Sequence, residues 1–402
     1  MDSNIFNKSL SIFVHSASEY LTDCEPHGDG LICFSLLNGL ARRNHDIFAY
    51  TRYAAISQKD SHLEVRAGGR HRVPFDSLTA WEHSWRADHW FQHLSKRSNT
   101  DIVWRMHPYG TSCPTVPKTL GRPLVVGPLF YGWPENEAMR AKPRFGIGIE
   151  KLVSPFAQRG WHRTLQAASM IICATHNHAE SMQNQFPQAK VLYLPVIVDP
   201  PTSDLSSNRK STDESKPFHL LFVANLLPNK NPLIFCQAVK LLRDNGINVK
   251  ATLLGDGLER PNIEAYCASE KLEDTIYLQG KVPNNEVYRY LHSADLLIST
   301  SLGEPYGRSI AEAMSVGTPC ICHESGGPAE IIENEVDGLL VKELAADAFA
   351  VAIARIYTNR QTWQYLSDNA IGKAKNWTSE AVLTSLEDSL IEIRKTKKII
   401  KR

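Results

Sequence analysis

At 402 residues the chain is long enough for two ordinary domains, each burying a core of its own. Hydrophobic residues make up 43% and charged residues 22%, with 44 Lys and Arg against 43 Asp and Glu, which excludes a disordered chain and a globally basic surface for nucleic acid. The eight cysteines are scattered with no CxxC spacing, so they read as reduced thiols of a cytoplasmic protein.

Ile5 to Val14 is apolar but short, is broken by Asn7, Lys8 and Ser9, and lacks a small-residue cleavage site after it. It therefore reads as a first strand and not as a secretion signal. From Leu10 the strand SIFVHSA runs into a glycine-bearing loop around His27, Gly28, Asp29 and Gly30, then into the helix LICFSLLNGLARR and the strand DIFAYT. That is a βαβ opening. Strand candidates DIVWRM, PLVVGP, MIICAT and VLYLPV follow. The long connection from Arg140 to Arg163 mixes six basic residues with Phe145, Phe156 and Trp161; it reads either as a solvated connection or as a surface shaping acceptor choice.

Pro200 to Pro217 is polar and rich in Ser and Pro, and reads as a linker. A second α/β pattern then restarts: strand HLLFVANL, helix LIFCQAVKLLRDNG, strand VKATLLG, helix IEAYCASEKL and strand TIYLQG, with strands ADLLIST and PCICHES bracketing the helix SIAEAMSVG. Two alternating blocks imply an α/β chain of two Rossmann-like parallel-sheet domains: 1–199, a linker 200–217, 218–375, and a C-terminal helical segment 376–402. No uninterrupted apolar run reaches the ~20 residues that cross a bilayer. The tail from Arg394 to Arg402 carries six positive charges; it reads as a solvated helix end, or alternatively as a weak contact with anionic lipid at the inner membrane face.

The sharpest feature is GEPYGRSIAE, Gly303 to Glu312, between a strand and a helix. Glu304 sits on a strand-end loop, and a helix beginning near Arg308 exposes unpaired N–H groups and a positive dipole end suited to phosphate. Glu312 lies one turn inside that helix. Carboxylates beside an anion-binding helix start suit a sugar nucleotide, whose hydroxyls need acceptors; two solvated surface glutamates are the alternative.

GEPYGRSIAEAMSVGTPCICHESGGPAEIIENEVDGLLV resembles the donor-binding signature of glycosyltransferase family 4, including two glutamates separated by seven residues. LFVANLLPNKNP resembles that family's strand-loop element with a phosphate-binding lysine, and LLGDGLER, YLQGKV and ADLLIST follow in the family's order. The resemblance is dense from Leu220 to Val341 and thinner over residues 1–200. It implies a GT-B fold of two facing domains, with the C-terminal helix crossing back to the first. It also implies transfer of a hexosyl group, with retained configuration, from a nucleotide-diphosphate sugar, a UDP-sugar being expected, to an acceptor hydroxyl. No cofactor beyond that donor is implied, and no partner other than donor and acceptor.

By the same resemblance Glu304 meets the transferred sugar, Glu312 the ribose, and Lys230 the diphosphate leaving group. The backbone of Gly307, Arg308 and Ser309 receives the sugar or diphosphate, and Val282 meets the base. Asn225 stands where many members carry an arginine five residues before the lysine; it can hydrogen-bond a phosphate but supplies no charge, which leaves Arg308 or Arg260 as substitutes. His107, after the strand DIVWRM, matches a histidine that approaches the donor hexose, although a register placing Met106 there, or a structural histidine, are open alternatives. Gly28 and Gly30 would let the first loop approach the diphosphate; a plain turn is the alternative.

No Asp-x-Asp occurs in the chain, so a metal-independent mechanism with no metal site is expected. Two rival readings use the same architecture, a non-catalytic sugar-nucleotide-binding protein and a nucleotide-sugar epimerase.

Overall fold

Short β-branched and aliphatic runs separated by helical segments form parallel sheets because each crossover helix covers a sheet face, so the strands are buried on both sides. A computed structural model of the chain describes residues 9–25, 28–69, 76–106, 115–129, 159–201 and 216–400. His107, most of the connection from Arg140 to Arg163, and most of the segment Pro200 to Pro217 lie outside the described residues. The strands are β1 (Ser11–Ser16), β2 (Tyr20–Thr22), β3 (Asp46–Thr51), β4 (Tyr53–Ala55), β5 (Leu63–Ala67), β6 (Ile102–Arg105), β7 (Leu124–Leu129), β8 (Met170–Cys173), β9 (Lys190–Tyr193), β10 (Phe218–Val223), β11 (Val249–Leu254), β12 (Ile276–Gly280), β13 (Leu296–Ser299), β14 (Cys320–His323) and β15 (Leu339–Val341).

The described residues form two units, one running to Ile197 and taking in the C-terminal helix Ser379–Ile400, the other Val198–Thr378. In the first, seven parallel strands lie in the order β5-β3-β1-β6-β7-β8-β9. In the second, six lie in the order β12-β11-β10-β13-β14-β15. Each sheet is therefore doubly wound, with its strand order reversing between β1 and β6 in the first unit and between β10 and β13 in the second. Ligands of such sheets sit at the carboxyl ends of the strands flanking that reversal.

The C-terminal helix belongs to the core of the first unit. Val382, Leu383, Leu386, Leu390 and Ile393 pack among Leu36, Leu37 and Leu40 of the helix Gly28–Arg42 and residues of β1. At ~25 cal/mol per Å² such a face is worth on the order of 10 kcal/mol as an upper bound. A Cβ on Gly39 would lie 2.5 Å from Leu383 Cδ1, so the Leu383 side chain packs directly over this glycine. Arg43 clamps the outer side through Glu380 at 2.7 Å and Glu387 at 2.9 Å.

Gly28, Asp29 and Gly30 depart from the sequence reading. They are the first turn of the helix Gly28–Arg42 and not a loop. Asp29 in that turn faces the positive end of the helix dipole, which offsets the glycines' poor helix propensity. Among the described residues no helix is long and apolar enough to cross a membrane.

Candidate functional site

The loops after β10 and β13 flank the reversal point of the second sheet, and both carry residues singled out by sequence. The loop after β10 ends in a single 3-10 turn, Pro228–Lys230, closed by Asn231 in the left-handed conformation at φ 48°. Thr300, fully buried just past β13, donates its hydroxyl to the carbonyls of Lys230 and Asn231, each at 2.9 Å. Asn231 Nδ2 returns a bond to the Thr300 carbonyl at 3.2 Å, and the Leu302 amide donates to the Asn229 carbonyl at 2.8 Å. Backbone groups of both loops are thus satisfied by each other, which fixes their relative position.

That stitching brings Lys230 Nζ into an ion pair with a carboxylate oxygen of Glu304. The side chains are 18% and 20% exposed, open enough to meet a ligand. The remaining residues of the cluster follow in chain order. Gly307 caps the helix Arg308–Ser315 with φ 97° and ψ 54°, a left-handed conformation that glycine adopts without strain. Gly307, Arg308 and Ser309 therefore stand at a helix start on the loop that carries Glu304.

Glu312 does not face solvent from that helix. It is 4% exposed and accepts from Arg308 Nε at 2.8 Å. Burial raises its carboxyl above the ordinary range, and Arg308 pulls the other way. Tyr288 of the helix Asn284–Ser293 lies beside it; burial, with Glu312 adding, pushes its phenol up. Arg308 is thus committed to Glu312, and Arg260 to Glu264 at 2.7 Å. Each is paired within its own helix, and Lys230 is paired with Glu304. Asn225 is exposed on the loop after β10, and Val282 is half-buried just past β12.

Two further elements carry the site although no residue of theirs was assigned a role from the sequence. After β14, Gly326 at φ 61° and Gly327 lie against the Glu304 loop: a Cβ on Gly326 would be 2.4 Å from the Glu304 carbonyl oxygen, and one on Gly327 2.3 Å from that of Tyr306. The Gly327 amide donates to the Glu304 carbonyl at 2.7 Å and the Gly303 amide to Ser325 Oγ at 3.2 Å. Gly255, at φ 133°, would place a Cβ 1.9 Å from the Ala224 carbonyl oxygen, so the loops after β10 and β11 touch backbone to backbone. The glycine pair in HESGGP was the available signal for the first of these.

The region around these residues matches a known family model. Residues 205–373 match the family model for glycosyl transferases group 1. Within the curated proteins, the chain is 33% identical over 147 residues to the amylovoran biosynthesis glycosyltransferase AmsK of Erwinia amylovora, covering 35% of this chain and 36% of that protein. It is 30% identical over 162 residues to the UDP-Gal:alpha-D-GlcNAc-diphosphoundecaprenol alpha-1,3-galactosyltransferase of Escherichia coli, covering 40% of this chain and 41% of that one. The match thus spans less than half the length of either relative. Among solved structures, sucrose-phosphate synthase from Thermosynechococcus elongatus superposes with a TM-score of 0.71 at 16% identity over 96% of this chain and 98% of that one. HepE of Anabaena in complex with UDP and glucose superposes with a TM-score of 0.65 at 18% identity over 95% and 99%. The fold is GT-B. The group 1 segment contains Lys230, Glu304 and Glu312, and with them both stitched loops.

The first unit contributes a buried polar cluster at its own reversal point. His15 Nε2 lies 3.2 Å from Asp88 Oδ1, and both residues are buried. Arg105, 1% exposed, donates to the Thr115 carbonyl at 2.7 Å and to Ser84 Oγ at 3.3 Å. Asp88 also accepts from the Lys118 amide at 3.0 Å. Burial lowers the His15 pKa, Asp88 opposing and Arg105 reinforcing. Enclosed this way, His15 is held beside Asp88 at the strand ends. Gly28 is exposed with nothing within 4 Å of an added Cβ, and Gly30 is buried.

Proposed function

We propose that the protein is a retaining glycosyltransferase of family 4 that moves a hexosyl group from a nucleotide-diphosphate sugar, expected to be a UDP-sugar, to an acceptor hydroxyl without a metal. The observation that carries this reading is the Lys230–Glu304 ion pair, held between the two loops at the sheet's reversal point beside the helix start at Gly307. The group 1 match over residues 205–373 supports it, as does the fold shared with HepE, which is described with UDP and glucose bound.

In the proposed reaction the diphosphate takes the place of Glu304 beside the Lys230 ammonium, and the amides of Gly307, Arg308 and Ser309 point at the phosphate. Glu304, released from the lysine, accepts from sugar hydroxyls, while Glu312 accepts from the ribose and the backbone at Val282 meets the base. Asn225 adds a neutral hydrogen bond to the phosphate, and Gly28 and Gly30 at the first unit's helix start, with His107, would complete the donor contacts. The bond from the anomeric carbon to the leaving oxygen breaks as the acceptor oxygen attacks the same face, and the acceptor's hydroxyl proton passes to the departing phosphate oxygen. Lys230 offsets the negative charge that develops on the diphosphate.

The test is incubation of the full chain with a panel of nucleotide sugars and alcohol acceptors, with proton NMR of the anomeric centre. Release of nucleoside diphosphate with a product of the donor's configuration supports the reading. An epimerised donor with no diphosphate released, or binding without turnover, replaces it.

A further inference from the structure

The helix Asp76–Leu94 has two faces that the reaction above leaves unequal. Its buried face presents His83 to Ser16 at 3.3 Å and Asp88 to His15 and the Lys118 amide. Its outer face carries Trp81, Trp85, His89 and His93, all exposed. These are spaced by four, so each side chain stands one turn above the last.

On that outer face His89 Nε2 and His93 Nε2 lie 3.1 Å apart with their rings nearly perpendicular, at 77°. The indole of Trp85 stacks on the His89 ring at 13° between planes and 5.6 Å between centroids, close enough to report an ion bound at His89. We propose that His89 and His93 form a two-nitrogen chelate for a divalent first-row transition ion on the outer face of this helix.

The geometry carries the argument. Imidazole nitrogens bind Zn2+ at about 2.0–2.1 Å. An ion at that distance from both nitrogens would subtend an angle of about 98°, between octahedral and tetrahedral values. Two histidines one turn apart on one helix face are also the spacing by which helical zinc sites place their ligands. Imidazole pairs select Cu2+, Ni2+ and Zn2+ over Mg2+ and Ca2+, which need oxygen ligands. With two protein ligands, water completes the shell. Because the ion links adjacent turns, it stiffens the helix that holds Asp88 against β1 from the other side.

The experiment is calorimetric titration of the untagged full chain with Ni2+, Cu2+ and Mg2+, alongside tryptophan fluorescence with Cu2+. The expected result is a single saturable site that takes Cu2+ more tightly than Ni2+ and ignores Mg2+. Its affinity should fall at least tenfold in His89→Gln and equally in His93→Gln. Part of the Cu2+ quenching should vanish in Trp85→Phe while the affinity stays. Amide exchange over residues 85–93 should slow when Ni2+ is bound. Unchanged Ni2+ affinity in both histidine variants, or no saturable binding below millimolar ion, would overturn the proposal. All three substituted side chains are exposed, and an unchanged circular dichroism spectrum verifies the fold of each variant.

Discussion

Lys230 and Glu304 stand 74 residues apart in the sequence and meet as an ion pair at the carboxyl ends of β10 and β13. The carboxylate neutralises the lysine's charge, so in the proposed reaction donor binding would exchange one anion for another and would not bring an isolated ammonium out of water.

If that exchange is right, Lys230→Ala lowers turnover by about a hundredfold or more while changing donor affinity less, because the ammonium acts mainly on charge that develops in the transition state. Glu304→Gln should raise donor affinity through the freed lysine while lowering turnover. Steady-state kinetics of both single variants and the double variant check this. Strictly additive effects would mean that the two residues do not act as a pair.

Glu312→Ala removes the partner of a guanidinium that is itself only 20% exposed. The expected cost is about 3 kcal/mol of stability, together with weaker nucleotide binding. Because burial raises the Glu312 carboxyl above its ordinary value near 4.5, the folded state holds that proton more tightly than the unfolded chain. Stability from this group is greatest below pH 4.5 and falls as pH rises through the folded pKa. Glu312→Gln should lack this component of the pH dependence in urea unfolding, and an identical profile would show the carboxyl to be freely hydrated.

His15 works in the opposite sense. Its folded pKa is depressed from 6.5, so the unfolded chain takes up a proton that the folded chain refuses. Its contribution is complete above pH 6.5 and is lost as pH falls through the folded value, with a slope of up to about 1.4 kcal/mol per pH unit. His45, also buried and depressed, acts in the same direction. His15→Gln should flatten the fall in stability between pH 6.5 and 5, measured by urea unfolding; an unchanged slope would assign it to His45 and the carboxylates.

Gly28 and Gly255 separate conformational from steric roles. Gly255→Ala forces a Cβ onto the Ala224 carbonyl at a left-handed φ and should cost more than about 2 kcal/mol. Gly28→Ala meets open space in the first helical turn and should stabilise by about 0.5 kcal/mol. If the diphosphate approaches Gly28, the donor KM rises in that variant although the protein is more stable. An unaltered KM would leave Gly28 as a helix start alone.

The sequence by itself determined what depends on neighbours along the chain. Strands such as MIIC and FHLLFV are legible because parallel strands are buried on both faces and read as continuous apolar runs. The helix start at Arg308 is legible because a glycine follows the loop and an apolar period begins after it. Local pattern also misled at Gly28 to Gly30, where two glycines suggested a loop and an acidic first turn made a helix. The short strands β2, β4 and β15 carry three residues each, too few to establish a period.

Tertiary structure alone decided everything that depends on residues far apart in sequence. The strand order brings the loops after β10 and β13 side by side, and only then can the Thr300 hydroxyl donate to the Lys230 carbonyl. Burial of Glu312 follows from its packing among Arg308 and Tyr288 and turns a nominally solvated acid into a raised, paired one. The amphipathic face of Ser379–Ile400 signals burial, but its partner, the helix Gly28–Arg42, lies more than 300 residues earlier and is selected by Gly39, Leu383 and Arg43. Periodicity says that a face must be covered, and shape and charge complementarity between distant segments say by what.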